Sequence, residues 1–168
     1  MEDREAIQQL IAESARKLSR EHYSDTQIEA AIAKVFGVDT TLIEDGTYFV
    51  VEIDEQLAGC GGWSKRKTLF GGDQYGSRDT DYADPKTDPA KIRAFFIHPD
   101  HARKGVARTL LSHCEDKARA QGFRALELLS TLPGIEFYRS CNFVETGNLD
   151  LDLTETVRLE FVPMRKEI

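Results

Sequence analysis

A turn near the middle of the chain has the residue types of an anion-binding site. A run of β-branched and aromatic residues ends at Ile97, and an amphipathic helical pattern begins at about Lys104. The first turn of a helix exposes unpaired backbone N–H groups and the positive end of the helix dipole. Gly105 lets a phosphate approach the backbone without meeting a Cβ, and Arg103, Lys104 and Arg108 add positive charge. The turn therefore predicts a polyanionic ligand.

The same turn also has a simpler interpretation, in which Gly105 only eases a tight turn and the basic side chains form a solvated face. Two better-known phosphate loops are excluded. The sequence contains no G-x-x-x-x-G-K-[ST], and the glycines at 59–62 are not followed by the helical pattern that a dinucleotide fingerprint requires. The predicted ligand is therefore something other than a plain nucleotide.

The histidines and cysteines predict neither a metal site nor a covalent intermediate. His98 and His101 lie three residues apart in the same turn without a third ligand, so we interpret them as solvated and predict no metal. Cys60, Cys114 and Cys141 have no C-x-x-C spacing and no His partner in a nucleophile pattern. Three free thiols, together with an acidic N-terminus that no apolar segment follows, predict a cytoplasmic protein.

The elements that must position the turn follow from hydrophobic periodicity. A strand, a helix and a second strand surround the turn, which implies two parallel neighbouring strands. A capping box of Thr26 and Glu29 is predicted to begin the second helix. The pattern predicts helices at 7–18 and 28–36, a hairpin of strands 48–53 and 57–63, a long loop at 64–90, a strand at 92–97, a helix at 104–121, a strand at 124–129, a short helix at 134–140 and strands near 143–151 and 156–164.

Size and composition indicate one soluble globular domain covering residues 1–168. The chain is 40% hydrophobic and 30% charged, which is ordinary for such proteins. Its net charge of -7 argues against a nucleic-acid partner or an anionic membrane surface, because phosphate binding draws mainly on Lys and Arg. No apolar run approaches the roughly 18 residues that span a bilayer, so no membrane association is expected.

Two segments resemble the signature motifs of the GNAT superfamily of N-acetyltransferases. Residues 102–107, Ala-Arg-Lys-Gly-Val-Ala, are similar to its acetyl-CoA signature [RQ]-x-x-G-x-[GA], and residues 136–143, Glu-Phe-Tyr-Arg-Ser-Cys-Asn-Phe, are similar to its FYxxxGF motif. Ala102 departs from the usual Arg or Gln, and Asn142 from the usual Gly. The resemblance covers about residues 45–165. It implies an α/β (α+β) fold, with a mixed, mostly antiparallel central sheet flanked by helices and a parallel pair split by the cofactor helix.

The resemblance implies acetyl-CoA as co-substrate, held largely by the main chain. Backbone groups of Phe95 and Ile97 would pair with the pantetheine arm as an added strand does, and N–H groups from Arg103 to Arg108 would hold the pyrophosphate. No metal is implied. The cofactor residues expected on this basis are Phe95, Phe96, Ile97, Arg103, Lys104, Gly105, Val106, Ala107 and Arg108.

The resemblance also implies transfer of an acetyl group to a primary amine by direct attack within a ternary complex. Tyr138 lies where family members that use a tyrosine acid place it, and it would protonate the leaving thiolate. Glu127 resembles the strand glutamate that ribosomal-protein acetyltransferases of the family use, through water, as a base. The alternatives are that Phe137 and Tyr138 only pack in the core, and that Glu127 lies on an exposed strand face or pairs with an arginine.

The acceptor amine is left open, as either a small-molecule amine or an amine of a protein or peptide. Five aspartates on the long loop would attract a cationic amine, or would simply keep the loop solvated. A catalytically silent acyl-CoA-binding sensor and a transferase for longer acyl chains are alternatives on the same fold. Exposed strand edges near the C-terminus could pair two protomers into a homodimer. The aspartates are Asp73, Asp79, Asp81, Asp84 and Asp88.

Overall fold

A computed structural model describes residues 2–76 and 78–168, and in this part of the chain seven strands form one sheet with helices on both faces. The helices are α1 (Glu2–Leu18), α2 (Asp25–Lys34), α3 (Thr40–Glu44), α4 (Val106–Ala120) and α5 (Ile135–Ser140). The strands are β1 (Tyr48–Ile53), β2 (Gln56–Ser64), β3 (Ala90–Ile97), β4 (Ala125–Thr131), β5 (Val144–Glu145), β6 (Leu149–Asp152) and β7 (Arg158–Glu167).

The sheet is mixed and mostly antiparallel, as the resemblance implied. Its strand order is β1-β2-β3-β4-β7-β5, and β6 pairs with β7. Strands β3 and β4 run parallel, and the other pairs described here are antiparallel. Two parallel strands cannot be joined by a tight hairpin, and here α4 makes the crossover between them. The predicted fold class is therefore confirmed.

Each face of the sheet carries its own apolar core. Successive strand residues point to opposite faces, and Leu128 of β4 accordingly packs with Cys114 of α4, whereas Leu129 packs with Ile11 of α1. We call these two sides of the sheet the α4 face and the α1 face. Helices α4 and α5 cover one face and α1 and α2 cover the other, so an opening in the sheet would connect the two groups of elements.

Such a passage exists between β3 and β4. These strands pair at Ala90 with Leu126 and at Lys91 with Glu127, and this is all the pairing found between them in the described chain. β3 nevertheless continues to Ile97 and β4 to Thr131. The two strands therefore diverge, and the later parts of both leave an opening in the sheet.

A bulge in β3 increases this divergence. Ala94 has a positive φ of 56°, and the register between β2 and β3 shifts between Cys60 and Gly62. The ring of Phe95 lies where a side chain at residue 61 would be, since a Cβ at Gly61 would come within 2.3 Å of that ring. Bulges bend a strand and re-aim its side chains, and this one turns β3 away from β4.

Three local predictions are corrected by the structure. The capping box of α2 is formed by Ser24 and Gln27, not by Thr26 and Glu29, because Ser24 is the residue with extended backbone geometry before the first helical turn. The short helix α3, which Asp39 caps, lies between residues 36 and 48, where no helix or strand was predicted. The C-terminal region contains three strands instead of two, since β5 and β6 pair separately with β7.

The long loop between β2 and β3 is tied to the rest of the fold at several points. Arg66 makes two hydrogen bonds of 2.7 Å to Asp45, and its backbone bridges to Tyr82. The N–H of Lys67 donates to Asp81 at 2.8 Å. These contacts fix the two ends of the loop to each other and to the end of α3, and one short segment, 69–72, lines the cavity described below.

Candidate active site

A cavity of about 760 Å³ passes through the opening between β3 and β4. One part, which we call the turn half, is lined by the turn after β3 and by α5. The other part, which we call the aromatic half, is lined by the end of α1, the loop segment 69–72 and the rings of Phe36, Phe70, Phe96 and Phe161. The cavity thus connects the α4 face with the α1 face.

The turn half contains a helix N-terminus with free backbone N–H groups. Gly105 precedes α4 with a positive φ of 84°, and Arg103 also has a positive φ of 62°. The first intrahelical bond runs from the N–H of Thr109 to the carbonyl of Gly105, so the N–H groups of residues 106–108 have no helical partner. A Cβ on Gly105 would have no atom of the described chain within 4 Å. This open space beside free N–H groups suits an anion.

The side chains of the turn add positive charge around that space. Arg103 and Arg108 both line the cavity and are exposed. The guanidinium of Arg108 donates to the Ser140 hydroxyl at 2.9 Å and so joins the start of α4 to the end of α5. A ligand phosphate at this turn would therefore meet backbone dipoles and mobile cationic side chains together.

The exposed edge of β3 presents backbone groups toward the opening. The N–H of His98 donates to the carbonyl of Ala58, and Cys60 lies opposite Phe96 in the same register. Hydrogen-bonded positions alternate along an antiparallel pair. The N–H and C=O groups of Ile97 consequently point away from β2 and toward the gap, and Phe95 follows in the bulge beside the same gap.

Tyr138 lies where α5 meets the cavity. Its side chain is 9% exposed, and its ring packs against Phe137 and, edge to face, against Phe143. Burial raises the pKa of the Tyr138 hydroxyl above its ordinary value, and the nearby thiols of Cys141 and Cys114 raise it further. No hydrogen bond of this hydroxyl occurs within the described chain, so its O–H is available to a ligand in the cavity.

A family model described as "Acetyltransferase (GNAT) family" matches residues 4–143. The chain belongs to the GNAT acetyltransferase family. The residues that line the turn half, 102–103, 105–108 and 136–138, fall inside the matched region. No curated protein matches the sequence significantly.

Solved GNAT structures share this fold at low sequence identity. A GCN5-related N-acetyltransferase from Rhodopseudomonas palustris is 18% identical, with a TM-score of 0.74 over 99% of this chain and 91% of that one. The PaiA N-acetyltransferase of Thermoplasma acidophilum, solved with coenzyme A, is 16% identical, with a TM-score of 0.66 over 99% and 94%. Ribosomal-protein-alanine N-acetyltransferase from Brucella melitensis is 17% identical, with a TM-score of 0.59 over 98% and 96%.

Most residues singled out from the GNAT motifs come together at the cavity. All of the predicted cofactor residues line it except Lys104, whose side chain is exposed outside the lining. The lining members are Phe95, Phe96, Ile97, Arg103, Gly105, Val106, Ala107 and Arg108, with Tyr138 opposite them. Ala102, the departure from the family signature, also lines the cavity, and Asn142 adopts the left-handed conformation, with a φ of 69°.

Glu127 is not brought to this cavity. It lies at the point where β3 and β4 still pair, opposite Lys91, and its carboxylate forms an ion pair with the Lys91 ammonium. The side chains are 26% and 11% exposed, so the pair is partly buried. The geometry gives Glu127 a structural partner at the closed end of the gap and does not support its predicted role as the base.

We expect Glu127→Gln to leave kcat within a few-fold of the parent chain and to lower the free energy of unfolding by about 1–3 kcal/mol, because the Lys91 ammonium loses its partner. Denaturant unfolding and steady-state kinetics measure the two effects. A Lys91→Gln/Glu127→Gln double variant is the matched control, and it should recover part of the lost stability. A large fall in kcat with unchanged stability would restore Glu127 to the reaction.

The sequence predictions did not identify a buried ion pair beside the aromatic half of the cavity. Arg93 lines the cavity, and its guanidinium lies 2.6 Å from the Asp39 carboxylate. Neither Arg93 nor Asp39 is among the site residues predicted from the sequence. A charged residue inside an otherwise apolar strand pattern was the available signal, because arginine is seldom fully buried without a partner.

The described residues contain no group of three or more histidine, cysteine or acidic side chains arranged to hold a metal ion. The three cysteines are buried free thiols. Of the helices in the described ranges, none combines the length and apolar character needed to cross a membrane.

Proposed function

We propose that this chain transfers an acetyl group from acetyl-CoA to a primary amine by direct attack in a ternary complex. The observation that carries the proposal is the cavity through the gap between β3 and β4. It joins the Gly105 turn, which suits a pyrophosphate, to the Tyr138 hydroxyl and to a separate aromatic half that can receive a second substrate. A protein that only binds a cofactor has no need of that second compartment.

The backbone of this chain would position the acetyl donor. Its pyrophosphate would accept hydrogen bonds from the N–H groups at the start of α4, and its pantetheine arm would pair with the free backbone groups of Phe95 and Ile97. This arrangement directs the thioester toward the β3 bulge and Tyr138. The amine would enter from the aromatic half and attack the thioester carbon, so that a C–N bond forms and the C–S bond breaks.

Tyr138 would give its proton to the departing thiolate. Burial raises the pKa of Tyr138, and the same desolvation acts on a thiolate in this cavity. Burial raises the pKa of the Cys60 and Cys114 thiols of this chain to about 12. Desolvation of the same kind would make the CoA thiolate a better proton acceptor in this cavity than it is in water.

The attacking nitrogen must lose a proton before or after attack. An alkyl ammonium has a pKa of about 10.4, so little free amine exists at neutral pH. Within the described lining, Glu21 and His22 carry the carboxylate and the imidazole on the amine side. Both residues are exposed just after α1, so solvent reaches this side of the cavity and can take up the proton.

The pH dependence should contain no titration of Tyr138 in the ordinary assay range. Because its pKa lies above the usual value of about 10, the hydroxyl stays protonated as pH rises. We expect kcat/KM for an alkyl amine to increase steadily from pH of about 6 to about 9 as the amine deprotonates. A falling alkaline limb in that window that disappears in Tyr138→Phe would contradict the assignment.

The reaction itself is tested by release of free CoA thiol from acetyl-CoA with a panel of primary amines, followed by mass analysis of the acetylated product. Amine-dependent release that is abolished by saturating desulfo-CoA supports the proposal. If acetyl-CoA stabilises the chain but no amine in a broad panel is acetylated, the enzyme assignment fails and the silent acyl-CoA-binding module becomes the better account.

A further inference from the structure

A cluster of charged side chains lies beside the aromatic half of the cavity. Arg93 and Asp39 form its buried centre, with exposures of 2% and 0%. Arg78 lies 3.3 Å from Asp39 and 3.9 Å from Asp73, and Arg4 lies 2.8 Å from Asp73. Three arginines therefore face two aspartates, which leaves the cluster with one excess positive charge.

The guanidinium of Arg93 is only partly satisfied by the protein. Its Nη2 donates to the carbonyl of Gly71 at 2.6 Å and lies at the same distance from Asp39 Oδ2. Its Nε and Nη1 are buried without a hydrogen-bond partner in the described chain. A guanidinium has five N–H donors, and buried donors without acceptors are uncommon in native structures and call for an explanation. Desolvation lowers the pKa of Arg93 to about 10, so it remains charged at neutral pH.

The surroundings of Arg93 indicate which chemical group would accept the unused hydrogen bonds of its guanidinium. Arg93 contributes to the cavity lining together with the apolar rings of the aromatic half and with Gly71 and Gly72. Of the five loop aspartates expected to attract a cationic amine, none belongs to the lining in the described chain. Glu21 is the lining carboxylate on the amine side and can face the ammonium group of the acceptor, whereas the buried guanidinium and the aromatic rings suit a carboxylate on an apolar body.

We propose that Arg93 binds the carboxylate of the acceptor, so that the acceptor is an amino acid or a related amine with one carboxylate and an apolar body. This inference rests on the acetyl transfer proposed above and names its substrate class. A monoanionic carboxylate matches both the single excess charge of the cluster and the planar guanidinium. The Nε and Nη1 atoms of Arg93 are buried. Segment 69–72 contacts Arg93 through the carbonyl of Gly71, so this segment would have to move aside for the carboxylate to reach them.

The first test compares amines that differ only in the carboxylate. Phenylalanine, leucine and their β- and γ-amino homologues are each assayed beside the corresponding carboxamide, with spermidine and kanamycin as polycations. The ammonium group of a carboxamide has a lower pKa than that of the corresponding acid, so more of it is neutral amine at the assay pH. Each kcat/KM is therefore calculated from the concentration of neutral amine. We expect at least one acid to exceed its carboxamide by about tenfold or more in kcat/KM, as a site built around a polar group rejects analogues that lack it. Preference for carboxamides or for the polycations would overturn the inference.

The second test changes the ion pair. Arg93→Gln alone would leave the buried Asp39 carboxylate with Arg78 as its remaining cationic partner and could unfold the chain, so the informative variant is Asp39→Asn/Arg93→Gln. Asparagine can still cap α3 through its side-chain oxygen. Its folding and cofactor binding are checked by the melting temperature with and without acetyl-CoA. We expect the ratio of acid to carboxamide to fall to about one, mainly through KM. An unchanged ratio in the folded variant would overturn the inference.

A binding readout separates this inference from the proposed reaction. With CoA bound, the melting temperature is measured with each acid and its carboxamide in the parent chain and in the double variant. The inference predicts a larger rise with the acid, lost in the double variant, whether or not any amine is acetylated. Equal shifts for acid and carboxamide would show that water or structural packing completes Arg93, whereas acid-specific shifts without acetylation would overturn only the proposed reaction.

Discussion

Tyr138→Phe should lower kcat by about 10²–10⁴ while the protein keeps its fold and its affinity for acetyl-CoA. The substitution removes only the hydroxyl. The ring remains packed against Phe137 and Phe143, so the loss should fall on the step in which the thiolate leaves. Single-turnover measurement of acetyl transfer separates that step from product release, and the melting temperature with acetyl-CoA reports binding.

Tyr48→Phe is the matched control for that experiment. Tyr48 is also largely enclosed, and its hydroxyl is buried without a hydrogen-bond partner in the described chain, but it lies outside the cavity lining. Removal of this hydroxyl should leave kcat within a few-fold of the parent. If both variants lose activity to the same degree, the effect belongs to packing, and if Tyr138→Phe stays within a few-fold, another acid must serve.

The second large effect is expected for Gly105→Val. A Cβ at residue 105 would project into the open space before α4, where a phosphate is expected, and the φ of 84° is strained for a β-branched residue. Strain of this kind costs about 1–2 kcal/mol. Loss of one or two hydrogen bonds to a charged group would weaken acetyl-CoA binding by about tenfold to several hundredfold. Isothermal titration with acetyl-CoA measures the change.

Gly122→Val separates strain from ligand contact. Gly122 follows α4 with a φ of 89°, and it lies outside the cavity lining, so the same substitution introduces a similar backbone strain without touching a bound cofactor. We expect both variants to lose stability and only Gly105→Val to lose affinity. Equal affinities for the two variants would contradict the placement of the pyrophosphate at the Gly105 turn.

The parts of the structure that were predictable depend on local patterns. Alternation and helical spacing placed β1, β3 and α4 within a few residues of their observed bounds, because these periodicities follow from the face that each element buries. The position of the Gly105 turn was predictable for a similar reason, since Gly105 lies between the strand pattern and the helix pattern, whereas its role as an anion site stays a prediction. Tyr138 followed from the family motif, and the structure adds its contact with the cavity.

The parts that were not predictable depend on residues that are distant in sequence. The strand pattern places Glu127 on the face opposite Leu126 and Leu128, but only the register of the parallel pair shows that Lys91 lies beside it. The pairing of Asp39 with Arg93 joins a helix cap to the middle of a strand. Neither periodicity nor composition predicts a contact between residues so distant in sequence, so the Asp39–Arg93 ion pair beside the aromatic half is found only from the structure.

The most direct test of the account is the melting temperature of the chain with and without saturating acetyl-CoA, with ATP and NAD as controls. Ligand at about a hundred times its dissociation constant adds about 2.7 kcal/mol to stability. For a chain of this size that free energy corresponds to a rise of roughly 5–10 °C. We expect such a rise with acetyl-CoA, little change with ATP or NAD, and a smaller rise with acetyl-CoA in Gly105→Val. No rise with acetyl-CoA would contradict the account and leave only the shared fold.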